Sequence, residues 1–152
     1  MLKQRVLSAA TAVLLGVGIL VALGQTAEKP DEQALRELIQ QQNDGKDVIK
    51  YTDNAIFVSG AYPRAPIIGR EAAKPFREEL AKQRPNQSSK KHVERLVVSK
   101  SADMAYDFGS FTSTWDAADK KQTGFNGTYL RIWRKIDGEW QVDAFFARCN
   151  EP

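Results

Sequence analysis

An α+β domain built on a C-terminal antiparallel meander is the fold class this sequence predicts. Three observations predict it. Between Ala102 and Arg148, three runs rich in Tyr, Phe, Trp, Val, Ile and Thr are separated by two polar turns, which is the pattern of consecutive strands in a curved sheet. Asp137-Gly138 lies between two of those runs and suits a two-residue hairpin, because both turn positions need a positive φ. Upstream, two stretches carry apolar residues at helical spacing and can cover one side of the sheet.

The hairpin sets a register. Ile136 opposes Glu139, and stepping back pairs Lys135 with Trp140, Trp133 with Val142, Arg131 with Ala144 and Tyr129 with Phe146 on one face. The other face carries Arg134 with Gln141, Ile132 with Asp143, and Leu130 with Phe145. Asp143 thereby lands on a largely apolar patch.

At the start of the chain, Lys3 and Arg5 precede an apolar or small-residue run from Val6 to Gly24. This order of positive, apolar and small-residue regions predicts a signal peptide over residues 1–24, with Gln25 opening the mature chain. The run is barely long enough to span a bilayer, so an uncleaved anchor formed by residues 6–24 is the alternative. Either way the globular part is expected outside the cytoplasm, periplasmic or secreted, with a membrane contact only in the uncleaved case. Residues 25–152 then form one domain large enough for a hydrophobic core.

The whole chain has a formal net charge of +3, but Lys3 and Arg5 leave with the export segment and the rest is nearly balanced. The remaining basic cluster, Lys82 to His92, is broken by Pro85 and Ser88-Ser89 and lacks interleaved aromatics. It reads as a solvated loop, and no nucleic-acid partner is expected. Cys149 is the single cysteine, so no intrachain disulfide forms, and without an adjacent His it reads as a spare surface thiol. His92 is the single histidine. With no second His or Cys at ligand spacing, neither a metal site nor a cofactor is expected.

Taken in order, Pro30-Asp31 reads as a stop and N-cap before EQALRELIQQQN, where Ala34, Leu35, Leu38 and Ile39 make one apolar stripe. Asp44-Gly45 ends that helix, and DVIKYT is expected to add a second helical turn. AIFV, residues 55–58, is a short strand. GAYPRAPIIG, residues 60–69, is irregular because of its prolines and glycines. Residues 70–82 return to helical spacing, with Pro75 inside. Lys91 to Lys100 is a strand, and the meander follows.

YTDNAIFVSG, the Gly before a covering helix in IIGREAAKPF, then DMAYDFGSFT and GTYLRIWRKIDGEW, in this order and spacing, resemble the SnoaL-like branch of the nuclear-transport-factor-2-like superfamily over residues 31–146. The resemblance implies a strongly bent, mainly antiparallel sheet wrapped around N-terminal helices to form a cone with an internal cavity. It also implies a homodimer through the sheet's outer face. It names no reaction, because the superfamily holds isomerases, cyclases, hydrolases, dehydratases, binding modules and association domains. Laid on the ketosteroid isomerase pattern, the chain has Ser59 where the base belongs, Leu130 where the oxyanion-hole acid belongs, and no Tyr on its first helix.

The same overlay turns the face bearing Leu130, Ile132, Asp143 and Phe145 toward the cavity and shows Tyr129, Trp133 and Trp140 outward as the dimer face. Asp143 in an apolar cavity is the candidate general acid or base; the competing reading pairs it with Arg134 and makes it structural. Ser59, Tyr62 and Arg64 are candidates for the cavity mouth, where they hold a polar group of the ligand. Two functions stay open: an exported binder of a small apolar or amphipathic molecule, or a cofactor-independent isomerase, dehydratase or hydrolase that uses Asp143. A dimeric association module without a ligand is the third.

Overall fold

The computed structural model describes residues 29–60, 65–119 and 121–150. The expected export segment 1–24, and Tyr62 and Arg64 of the Pro-rich loop, lie outside the described residues. The element order is α1 (Pro30–Asn43), β1 (Tyr51–Ser59), β2 (Ile67–Ile68), α2 (Arg70–Gln83), β3 (Ser88–Val98), β4 (Met104–Asp116), β5 (Gln122–Ile136) and β6 (Glu139–Cys149).

The hairpin between β5 and β6 forms as its turn chemistry dictates. Asp137 and Gly138 have φ of 51° and 82°, and Ile136 opposes Glu139. The expected pairs hold back to Trp133 with Val142, and there the register shifts by one: Ile132 faces Ala144, Arg131 faces Phe145 and Leu130 faces Phe146. Asp143 is the extra residue of a β-bulge. β6 is distorted there from both sides, because its parallel pairing with β1 also shifts, between Tyr51 and Ile56. The Thr52 hydroxyl donates to Asp143 Oδ1 at 2.7 Å across the two irregular stretches.

The six strands run in the order β2-β1-β6-β5-β4-β3. All neighbours are antiparallel except β1 and β6. This mixed, mostly antiparallel sheet with two helices confirms the α+β class and corrects the expected architecture. The sheet is open, with β2 and β3 as its two edges, and is not curled into a cone. Nor is there a group of N-terminal helices for it to wrap: DVIKYT makes no helical turn, and its Tyr51 already opens β1. The β-branched and aromatic residues of 48–58 favour the extended chain once β6 offers a partner.

Both helices pack on one face of the sheet. Leu35 and Ile39 of α1 join Leu96, Ala105, Trp133, Trp140 and Val142 in one buried cluster. Ala73 of α2 joins Ala55, Phe57 and Ile67 in another. Tyr51 and Phe145 pack against both. A helix of 14 residues is marginal alone in water, so α1 exists because Leu35 and Ile39 are buried, each contributing about 1.5–3 kcal/mol. Asp31 is not its N-cap: Lys29 holds that position and Pro30 starts the helix. Asp31 instead accepts from Lys135 Nζ at 2.6 Å and Trp140 Nε1 at 3.1 Å, tying the helix start to the hairpin. Lys135 holds its carboxyl below the usual range.

Tyr129, Trp133 and Trp140 are therefore core residues, only 4%, 0% and 6% exposed. The outward aromatic face expected of them is corrected. Alternation along β4, β5 and β6 puts Met104, Phe108, Leu130, Ile132 and Phe146 on the open face instead. Both faces of the meander are apolar, so periodicity alone does not say which one meets the helices.

Candidate functional site

A pocket of about 260 Å³ lies between α2 and the helix-covered face of the sheet. Its roof is one stripe of α2 and its cap, Arg77, Leu80, Ala81 and Arg84, spaced i, i+3, i+4 and i+7 so that all face the same way. Its floor is Phe111, Phe125 and Phe145, with Ser59, Ser113, Ala147 and Cys149 beside them. Gln87, Ser89 and Lys91 close the edge-strand side.

The floor depends on a missing side chain. A Cβ on Gly127 would meet the Phe111 ring at 2.6 Å and also the carbonyl of Arg148. Only glycine lets the ring lie over the strand. Phe125 then meets Phe111 edge-on at 5.8 Å and Trp115 at 5.4 Å between ring centres, a favoured aromatic geometry.

The cations of the wall are held by rings. The Arg84 guanidinium sits 4.8 Å from the Trp115 ring centre and 5.1 Å from that of Phe125, while Arg77 lies 5.4 Å from that of Tyr51. Lys91 Nζ is 5.9 Å from the Tyr129 ring centre. Burial pushes the Lys91 amine down to about 8, with Arg131 adding to the shift and Asp107 opposing it. Desolvation disfavours the charged form, and a second cation does the same.

Behind this wall lies a buried ion pair. Arg131 donates from Nε and Nη2 to the two oxygens of Asp107 at 3.0 and 2.8 Å. Trp133 Nε1 donates to Asp107 at 2.6 Å, and Arg131 Nη1 donates to Gln42 at 2.9 Å. The Tyr129 hydroxyl is buried beside this pair without a well-formed hydrogen bond. Burial, with the nearby Asp107 charge, pushes its pKa up.

The sequence-derived candidates fall in three places. Ser59 and Phe145 line the pocket, Phe145 because the bulge shifts it to the helix side. Leu130 and Ile132 lie on the opposite face of the sheet, where they line two open hollows of about 580 and 510 Å³ with Phe108, Phe146, Met104 and Tyr106. Asp143 sits at the bulge, bonded to Thr52 and 4.0 Å from the exposed Arg134; neither residue lines the pocket.

Arg77, Arg84, Lys91, Phe111 and Phe125 were not singled out from the sequence. The α2 stripe was legible there, since Arg77 and Arg84 flank Leu80 at helical spacing. Cys149, read as a surface thiol, is half-buried in the pocket wall. Among the described residues, no three His, Cys, Asp or Glu side chains gather to hold a metal ion.

An open sheet with two helices on one face, and an aromatic-floored pocket beneath the second helix, makes this an α+β fold. Solved structures share this fold. A nuclear transport factor 2-like superfamily protein of Salmonella enterica serovar Typhimurium superposes with a TM-score of 0.62 at 14% identity, covering 80% of this chain and 92% of that one. A ketosteroid isomerase-like protein of Erwinia carotovora matches with a TM-score of 0.59 at 20% identity, over 84% of this chain and 99% of that one. A Xanthomonas campestris protein assigned to the calcium/calmodulin dependent protein kinase II association domains gives 0.59 at 15% identity, over 78% and 81%. At such identities the likeness is one of fold alone. No family model and no curated relative matches the sequence.

Proposed function

We propose that the chain is an exported, SnoaL-like binding protein whose domain, residues 25–152, takes a small amphipathic molecule into the pocket beneath α2. The observation that carries this reading is the pocket itself. Apolar rings floor it, polar groups rim it, and its volume of about 260 Å³ suits a ligand smaller than most drug-sized molecules. The placement of Asp143 favours binding over chemistry, because its carboxylate is engaged by Thr52 at the bulge and lies outside the pocket lining. Export rests on the apolar run of residues 6–24 behind Lys3 and Arg5.

Native mass spectrometry of the protein, purified gently from its host, tests both parts. The expected spectrum starts at Gln25 and carries a discrete small-molecule mass that Ala81→Trp, a bulky residue at an exposed position on the roof, displaces. A mass that survives Ala81→Trp places the ligand elsewhere. A retained N-terminus supports the membrane-anchored alternative.

The outer face favours a second, compatible reading, that two copies pair. Ile56, Met104, Phe108 and Phe146 are each at least 36% exposed there. The likeness to an association domain points the same way.

A further inference from the structure

Resting on the binding reading, we propose that the pocket beneath α2 is an anion site. Its ligand is an amphipathic acid, with a flat apolar body against Phe111, Phe125 and Phe145 and a carboxylate, sulfonate or phosphate held by Arg84 and Lys91, with Arg77 at the rim.

The wall chemistry carries the inference. Arg77, Arg84 and Lys91 all line one pocket of about 260 Å³, and no carboxylate lines it among the described residues. None of the three is within ion-pair distance of a carboxylate there. The other polar wall groups, Ser59, Gln87, Ser89 and Ser113, can all donate a hydrogen bond, and none is acceptor-only.

A solvated cationic surface is the ordinary explanation for clustered Arg and Lys, and it suits Arg77, which is exposed. It does not suit Arg84 or Lys91, which are half-buried. Lys91 has the buried Arg131 behind it, itself already neutralised by Asp107. Gathering like charges in a partly desolvated space is unfavourable, and an entering anion reverses that sign. The stacked Arg84 guanidinium keeps its donor edges free, since stacking on Trp115 and Phe125 uses only its face.

Two dyes that share one ring body make the test. 1-Anilinonaphthalene-8-sulfonate carries an anion, and N-phenyl-1-naphthylamine is the same molecule without it. Affinity is read by fluorescence on the protein as purified from its host. Site occupancy is read by protection of Cys149, the single cysteine and a pocket-wall residue, from alkylation.

The expected result is that the sulfonate binds about tenfold tighter or better, slows alkylation of Cys149, and loses its advantage in Lys91→Met and in Arg84→Gln. Arg77→Gln, at an exposed position, provides a variant that leaves the fold untouched and is expected to reduce the advantage less. Equal affinity of the two dyes, both protecting Cys149, overturns the anion site and leaves the binding pocket standing. A sulfonate advantage unchanged in Lys91→Met and Arg84→Gln also overturns it. Failure of both dyes to protect Cys149 overturns the pocket reading itself.

Discussion

Lys91 shows how one residue can be costly to the fold and useful to the pocket. Its amine is pushed down to about 8 from an ordinary 10.5, chiefly by burial. Because the unfolded chain holds this proton up to about pH 10.5, the burial cost is fully present below pH 8 and fades as pH rises from there. Wild-type stability is therefore expected to gain a rising component between about pH 8 and 10, measured by urea denaturation, that Lys91→Met lacks. The variant is expected to be the more stable of the two at pH 7. Tyr51 and Tyr129 act oppositely above pH 10, since burial raises both, so the comparison belongs below that. If Lys91→Met is no more stable at pH 7, the amine is not paying a burial penalty.

Asp107 and Arg131, 0% and 2% exposed, make a different kind of pair. Removing one partner leaves the other buried and charged, so Asp107→Ala is expected to cost about 3–5 kcal/mol, while Asp107→Ala with Arg131→Met is expected to recover much of it. Equal losses in the single and double variants would show that the pair's worth lies in packing.

At the scale of elements, the hairpin, α2 and the C-terminal meander were legible because each rests on a local rule. Asp137-Gly138 can adopt its two positive φ values whatever surrounds it, and helical spacing in residues 70–82 survives the embedded Pro75. Asp143 was not legible. Its bulge depends on β1 arriving parallel to β6 and on Thr52 reaching across, a long-range event with no signature in residues 139–149. The same slip hid the pocket, because it carries Phe145 to the helix side, while the two apolar faces of β5 left the choice of inner face open. Had Tyr129 and Trp133 been turned inward, Arg131 between them would have demanded a buried carboxylate, and Asp107 answers it.

Gly127 in β5 tests how far an element shapes the site. Gly127→Ala forces both the Arg148 carbonyl of β6 and the Phe111 ring to give way, and overpacking of this kind is expected to cost at least about 1–3 kcal/mol. The pocket should change with it, read as faster or slower alkylation of Cys149 while the far-ultraviolet spectrum stays strand-rich. An unchanged alkylation rate would mean that the floor repacks without altering the space above it.

For the whole molecule, the deciding feature is that both sides of one sheet are apolar and only one is covered. The helices bury Trp133, Trp140 and Val142; the other side leaves Ile56 38%, Phe108 38%, Met104 46% and Phe146 36% exposed, with Leu130 and Ile132 among them. A contiguous apolar surface of this sort is unusual on a monomer. Thr128, Arg148 and Ser99 lie beside it, and a second copy offers a self-complementary cover about a two-fold axis. Leu130 is central to the patch, so Leu130→Glu puts a charge at the middle of any such interface, where it has no partner and strong cost. The protein is expected to run as a dimer by light scattering at tens of micromolar, and Leu130→Glu as a folded monomer. Because Leu130 faces away from the pocket, the variant should keep its affinity for the naphthalene sulfonate. A wild-type monomer at that concentration would remove the pairing and leave the outer face to a different partner, whereas a monomeric variant that also loses ligand would mean that pairing holds the pocket in shape.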